Sequence, residues 1–252
     1  MVVKMYNPFS LEGKTILVTG ASSGIGKAIA VECSKMGAVV IISGRNEQRL
    51  NETFSLLEGS GHDMILADLS QREELDRLYN ELPLISGLVN CAGLTKVAPF
   101  PFATRDRFEE VMTVNFFAPT ELTRLLVKSK KIGKRSSVVF ISSVSGVYCS
   151  AVASSIYSSS KGAINGLIKG VALDLAPKGI RVNSVNPGMI DTEIFSGSAI
   201  STEQLKIDKQ RYPLNRYGKP EEVAFAVIYL LSDASSWVTG SNLLIDGGYT
   251  LL

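Results

Sequence analysis

The chain holds a single histidine, His62, in 252 residues, and three cysteines, Cys33, Cys91 and Cys149, that show no metal-ligand spacing. His62 ends the turn-forming string Gly59-Ser60-Gly61-His62. Ser-His-Asp hydrolysis and a histidine-based metal centre are therefore poorly supported, and no metal is expected. An odd cysteine count without a pairing pattern argues against a disulfide-built scaffold and for a reducing, cytoplasmic setting. No apolar run reaches the roughly 20 residues of a membrane span, and the N-terminus carries no signal-peptide pattern. Excess charge of one sign is missing too. Lys and Arg total 26 against 24 Asp and Glu, a net +2, which leaves no electrostatic footprint for nucleic acid. Basic residues crowd together only from Lys128 to Arg135, a run read as the solvated end of a helix.

What is present describes an ordinary globule, with 45% hydrophobic and 20% charged residues. A chain of this length is expected to form one domain over 1–252, with a short N-terminal extension over 1–10. Strand-like runs at 14–19, 38–43, 63–67, 85–90, 136–142, 180–186 and 242–245 alternate with helical periodicity. The helices are expected near 24–36, 46–57, 71–81, 104–130, 154–176 and 220–232. That rhythm predicts an α/β fold: a Rossmann-type, doubly wound parallel sheet of about seven strands with helices on both faces. Residues 192–219 break the rhythm with a polar stretch rich in small residues, Ser196-Gly197-Ser198-Ala199. Ligands in such sheets bind beyond the carboxyl ends of strands, so this connection is a candidate substrate loop.

The most informative stretch is Thr19-Gly20-Ala21-Ser22-Ser23-Gly24-Ile25-Gly26, set between the apolar run Lys14–Val18 and the helical pattern from Lys27. Strand, glycine turn and helix in that order aim a helix's free N–H groups at an anion, and glycine lets backbone approach a pyrophosphate closely. A P-loop is excluded, because Ala21 stands where its first glycine belongs and Ala28 where it needs a hydroxyl. The second strand ends at Gly44, where NAD sites usually carry an acid, and Arg45 follows at once. Loss of the acid and gain of a guanidinium suit the 2′-phosphate of NADP(H) better than NAD(H).

Tyr157 and Lys161 are spaced four apart, hence on one face of a helix. An ammonium beside a phenol favours phenolate and lowers its pKa, which prepares it to exchange a proton with a carbonyl or alcohol. Upstream, Val138–Ile141 reads as a buried strand ending in Ser142-Ser143, and either hydroxyl could hold a substrate oxygen beside the tyrosine. Asn115 interrupts an otherwise apolar helix, a costly place for an amide unless something needs it.

In order along the chain stand the glycine motif, Ala67-Asp68-Leu69, Asn90-Cys91-Ala92-Gly93, Asn115, Ser143, Tyr157/Lys161, Asn186-Pro187-Gly188-Met189-Ile190-Asp191-Thr192 and the tail Gly240–Gly248. From about Leu11 to Tyr249 the chain thereby resembles the short-chain dehydrogenase/reductase family, and in pattern its 3-oxoacyl-carrier-protein reductases. The resemblance implies that Tyr157 is general acid in reduction and base in oxidation. Lys161 would tune it and hold the nicotinamide ribose, Ser143 would orient the substrate oxygen, and Asn115 would steady a proton-relay water. Gly20, Ser22, Ser23, Gly24, Ile25 and Gly26 would cradle the dinucleotide. Asp68 and Leu69 would flank its adenine, with Asn90, Ala92 and Gly93 on the adenine ribose side. Pro187, Gly188, Ile190 and Thr192 would line the nicotinamide, the last two holding its carboxamide. Cys91 departs from the family's usual second asparagine, and Ser143 and Tyr157 stand one residue further apart than in many relatives.

The substrate is left open by this resemblance. A 3-oxoacyl thioester is favoured over a sugar, polyol or small ketone, and a cofactor-binding regulator without turnover is disfavoured because the catalytic set is complete. The expected pocket rim is Ser145, Val147, Tyr148, Cys149, Ala153, Met189 and the Ile194–Tyr212 connection. Lys134, Arg135 and Lys178 could receive an acidic carrier protein. Relatives pair through the long helices, and Ala163, Ile164, Gly166, Leu167, Gly170 and Val171 offer a small and apolar face, so a homotetramer or homodimer is expected.

Overall fold

Every one of the seven expected runs forms a strand: β1 (Thr15–Thr19), β2 (Val39–Gly44), β3 (Asp63–Leu66), β4 (Ile85–Asn90), β5 (Ile132–Ile141), β6 (Arg181–Pro187) and β7 (Asn242–Ile245). They make one parallel sheet in the order β3-β2-β1-β4-β5-β6-β7. The computed structural model describes residues 6–192 and 202–252. Order reverses between β1 and β4, and in sheets of this kind a crevice opens at that point beyond the carboxyl ends.

Alternation along the strands feeds two cores. Ile16, Val18, Val40 and Ile42 face α1 (Gly24–Lys35) and α8 (Pro220–Leu231). Leu17, Ile41, Leu88 and Phe140 face α3 (Arg72–Glu81), α5 (Ala118–Lys128) and α6 (Ser155–Leu175). The short α2 (Glu47–Phe54) lies beside β2, its first turn capped by the Asn46 side chain. Among the described residues no helix is long and apolar enough to cross a membrane.

Three expectations change in detail. The helix read over 104–130 is α4 (Arg105–Met112) and α5 joined by a π turn, Thr113–Phe117. Pro119 explains the widening, since it has no N–H to give the Asn115 carbonyl four residues back. Strand β5 begins at Ile132 rather than 136, through an irregular start in which Arg135 takes φ 61° and the pairing with β4 shifts register. Only Lys128 of the basic run closes a helix, while Lys131 reaches the Tyr79 and Asn80 carbonyls at the end of α3, both at 2.8 Å. Third, 192–219 is not all loop, because α7 (Thr202–Lys209) lies within it. No apolar stripe announced this helix, and Ile207 is exposed.

Candidate active site

The β1–α1 turn is built so that nothing stands between backbone and ligand. Gly20 takes φ +68°, and a Cβ there would lie 2.7 Å from the Ala92 backbone at the end of β4. A Cβ on Gly26 would strike the Gly20 carbonyl. Ser23 precedes α1 with an extended backbone and no side-chain capping bond, and the first turn of α1 carries no acid. A hydroxyl and N–H groups left free at a helix start suit a phosphate. Thr192 closes over this turn, 3.4 Å from where a Gly24 Cβ would be.

Thr19 ties the two strand ends together, a role its place in the motif did not reveal. Its hydroxyl donates to the Val89 carbonyl at 3.3 Å and accepts from the Cys91 and Ala92 N–H groups, each at 3.2 Å. Asn90 is buried and donates to the Thr123 hydroxyl at 3.2 Å. Gly93 borders the catalytic groups, with Asn115 Oδ1 3.3 Å and Lys161 Nζ 3.7 Å from the position of a Cβ.

At the end of β2, Ser22 lies against Gly44, and Arg45 ion-pairs Asp68 at 3.8 Å. Partial burial works to raise the Asp68 carboxyl, but the Ser70 N–H and hydroxyl and the Arg45 guanidinium outweigh it and hold the pKa below the ordinary range. Asp68 accepts from Ser70 N at 2.9 Å, so its charge is committed locally and Arg45 stays largely exposed. Leu69 is buried in the core beside it.

Tyr157 sits in the first turn of α6, and the Ser143 hydroxyl acts on its phenol in the sense that favours ionisation. Of the two candidate serines, Ser142 turns away, its hydroxyl donating to the Lys161 carbonyl at 3.1 Å and its N–H to Val185. A tight turn forms between Ser143 and Tyr157. Tyr148 and Cys149 both donate to the Val144 carbonyl, and Gly146 donates to Cys149. Gly146 takes φ +115° and lies against Gly162 of α6, where a Cβ would come within 2.6 Å of backbone. Ala153 takes φ 63° at the far end of the same segment.

Lys161 is buried, and its ammonium donates to the Ile141 carbonyl at 2.8 Å. No carboxylate pairs with it among the described residues, and burial pushes its pKa down to about 8. The ammonium stands 5.7 Å from the Tyr157 ring centroid. Burial works to raise the Tyr157 phenol above its ordinary value, and the Ser143 hydroxyl works to lower it. A phenol that keeps its proton is an acid.

Asn115 is the hub of the π turn. Its Oδ1 accepts from Leu94 N at 2.8 Å, and its Nδ2 donates to the Leu94 carbonyl and to Ser160 Oγ, both at 3.0 Å. The buried amide thus makes three hydrogen bonds, and it fixes the chain leaving Gly93. On the other side, Pro187 accepts from Val144 N, Gly188 donates to Ile245, and Ile190 pairs with Gly218 while buried in the core. The described part of the 192–219 connection is firmly tied. Tyr212 stacks on Tyr249 and meets Tyr217 edge-on, and Arg216 grips Glu222 through two bonds of 2.7 Å. Residues 193–201, including Ile194 and the small-residue string, lie outside the described residues. A cavity of about 360 Å³ opens between Tyr148, Cys149, Arg211 and Tyr249.

The basic residues proposed to receive a carrier protein are misplaced for it. Lys134 and Arg135 start β5, and Lys178 follows α6, next to Gly179, which packs near Arg135. All three sit at the amino-terminal edge of the sheet. From Ser137 to the end of β5 at Ile141 alone the strand advances roughly 13 Å away from them.

A family model described as enoyl-(acyl carrier protein) reductase matches residues 20–250. A tropinone reductase homolog of Arabidopsis thaliana is 35% identical over 250 residues, covering 96% of this chain and 93% of its own. A 3-oxoacyl-(acyl-carrier-protein) reductase of Rickettsia felis is 34% identical over 242 residues, covering 96% and 99%. The Pseudomonas aeruginosa RhlG/NADP active-site complex superposes with a TM-score of 0.90 at 31% identity, over 98% of this chain and all of that one. Matches of this extent, on a fold whose β1–α1 turn, buried lysine and tyrosine converge on one crevice, make the chain a member of the short-chain dehydrogenase/reductase family of oxidoreductases, which act on carbonyl and alcohol groups.

Proposed function

We propose that this protein reduces a ketone to a secondary alcohol with NADPH, and that Tyr157 is its acid. The observation that carries the reading is the Ser143–Tyr157–Lys161 arrangement, a buried phenol influenced by a serine hydroxyl and one turn from a buried ammonium. The nicotinamide, when bound, supplies the hydride to the carbonyl carbon. Ser143 donates to the carbonyl oxygen and fixes its direction. Tyr157 gives its proton to that oxygen as the negative charge grows, so carbonyl, hydride and proton become the alcohol. The Lys161 ammonium stabilises the phenolate left behind, and among the described residues it is the buried cation beside it. Asn115 holds Gly93 and Leu94 in place around them.

The turn Gly20–Gly26 fits a pyrophosphate, because it offers free N–H groups and hydroxyls and no Cβ in the way. Asp68, Leu69, Asn90, Ala92 and Gly93 form the adenosine side of the same crevice, and Pro187, Gly188, Ile190 and Thr192 the nicotinamide side. Arg45, exposed and beside a strand end with no acid, favours the 2′-phosphate of NADP(H); the RhlG complex carries NADP as well.

Within this chemistry a 3-oxoacyl thioester is the substrate we favour, in line with the relatives of that activity. Docking of a carrier through Lys134, Arg135 and Lys178 is not part of the proposal. Assembly into a homotetramer or homodimer is. On α6, Ile164 and Ile168 turn inward to the core, while Gly166 and Gly170 have open space before them and Leu173 is exposed. The test is NADPH oxidation with acetoacetyl thioester, NADH run alongside. Turnover abolished in Tyr157→Phe supports the reading; turnover unaffected by that change rejects it.

A further inference from the structure

Three serines, Ser158, Ser159 and Ser160, separate Tyr157 from Lys161 on α6. Ser160 is fully buried. Its hydroxyl donates to the Tyr157 carbonyl at 2.7 Å and accepts from Asn115 Nδ2 at 3.0 Å. In a helix that carbonyl is also the acceptor for the N–H four residues on, here that of Lys161. One hydroxyl thus reaches the backbone turn that carries both groups and ties it to a side chain 45 residues away.

A helical serine often donates back to a carbonyl one turn earlier without further consequence. Ser159 does so, giving its proton to the Ile156 carbonyl at 2.8 Å from an exposed position. Ser160 differs in its second bond. Asn115 Oδ1 accepts from Leu94 N, which settles which way the amide faces. The two N–H groups of Nδ2 then go to the Leu94 carbonyl and to Ser160. A continuous set of hydrogen bonds therefore runs from the chain leaving Gly93, through the π turn, to the turn of α6 that bears Tyr157 and Lys161. From the other side, β5 and its end fix the lysine alone. The Ile141 carbonyl takes its ammonium, and the Ser142 hydroxyl donates to its carbonyl.

We propose that Ser160 is a positioning residue for the reduction: through Asn115 it sets the Tyr157–Lys161 turn against the Gly93–Leu94 segment, without itself touching the substrate. The inference rests on the reductase reading and deepens it, since Tyr157 and Lys161 are the groups it places. Ser160→Ala removes both bonds, and alanine suits a helix better than serine does, so α6 persists while its tie to Asn115 is lost. Steady-state kinetics with NADPH and acetoacetyl thioester on Ser160→Ala, Asn115→Ala, the double variant and Ser159→Ala test it, with a urea midpoint for each. We expect kcat to fall roughly 10–100-fold in Ser160→Ala, as a misplacement of about 1 Å can cause, with KM for the thioester within about twofold of the parent's. Ser159→Ala should keep the parent's kcat. Because Ser160 and Asn115 share a bond, the double variant should lose less than the product of the two single losses. A Ser160→Ala protein that loses stability to urea and keeps the parent's kcat assigns the serine to folding alone and overturns the inference. Single losses that multiply in full in the double variant overturn it too. In either case a parent activity that Tyr157→Phe abolishes leaves the reductase reading standing. If the parent turns over no ketone, both fall.

Discussion

Lys161 donates its ammonium to the Ile141 carbonyl at 2.8 Å, and that carbonyl is its one hydrogen-bond partner among the described residues. A buried cation without a carboxylate is costly in the folded state, which is why its pKa lies at about 8 instead of 10.5. The folded protein therefore binds fewer protons than the unfolded chain between those values, and stability gains as pH rises through that window. Cys91, raised to about 12 by burial, works in the opposite sense at alkaline pH, so the comparison has to be made between two proteins that share it. Lys161→Met should be more stable than the parent below pH 8, by up to roughly 3 kcal/mol, with the gap closing toward pH 10.5. Urea midpoints across that range measure it, and a gap that widens with pH contradicts the account.

Tyr157→Phe removes the proton and keeps the ring. Loss of a positioned acid costs roughly 10²–10⁴ in kcat, while NADPH affinity should change little because Lys161 remains. Ser143→Ala should fall in the same direction by less. Fluorescence titration with NADPH separates the two effects, and equal loss of binding and turnover would point to a folding defect.

Arg45→Ala should weaken NADPH by about 10–100-fold, the worth of one or two charge-assisted hydrogen bonds, and leave NADH nearly unchanged. The variant also frees Asp68 from its 3.8 Å ion pair, so its carboxyl pKa should move up toward the ordinary value. Competition of the two dinucleotides in one binding assay decides the matter; equal losses for both would mean that Arg45 does not read the phosphate.

Thr19→Val replaces a hydroxyl that serves three backbone groups with a methyl of the same shape. The Cys91 and Ala92 N–H groups lose their acceptor. We expect a stability loss of roughly 1–3 kcal/mol, together with weaker cofactor binding, because Ala92 backs onto Gly20. Thr19→Ser keeps the hydroxyl and should restore both.

Much of this was written in the sequence by period and spacing. Short apolar runs such as Val138–Ile141 suit central strands, and their alternation with helical stretches favours a parallel sheet with helices on both faces. A four-residue gap put Tyr157 and Lys161 on one face of α6 before any coordinate was known. Local patterns carry such facts because they depend on neighbours along the chain.

Contacts between distant segments were decided only in three dimensions. The serine beside Tyr157 depends on how residues 144–153 fold between them, and there the paired glycines 146 and 162 let the turn close onto α6. The pKa of Tyr157 follows burial, which a spacing cannot express. Likewise the basic side chains Lys134 and Lys178 offer charge for an acidic partner, and strand direction puts them at the edge opposite Ser143. Sequence thus determined which groups exist and on what elements; the packing of those elements determined which groups face one another, and how much water lies between them.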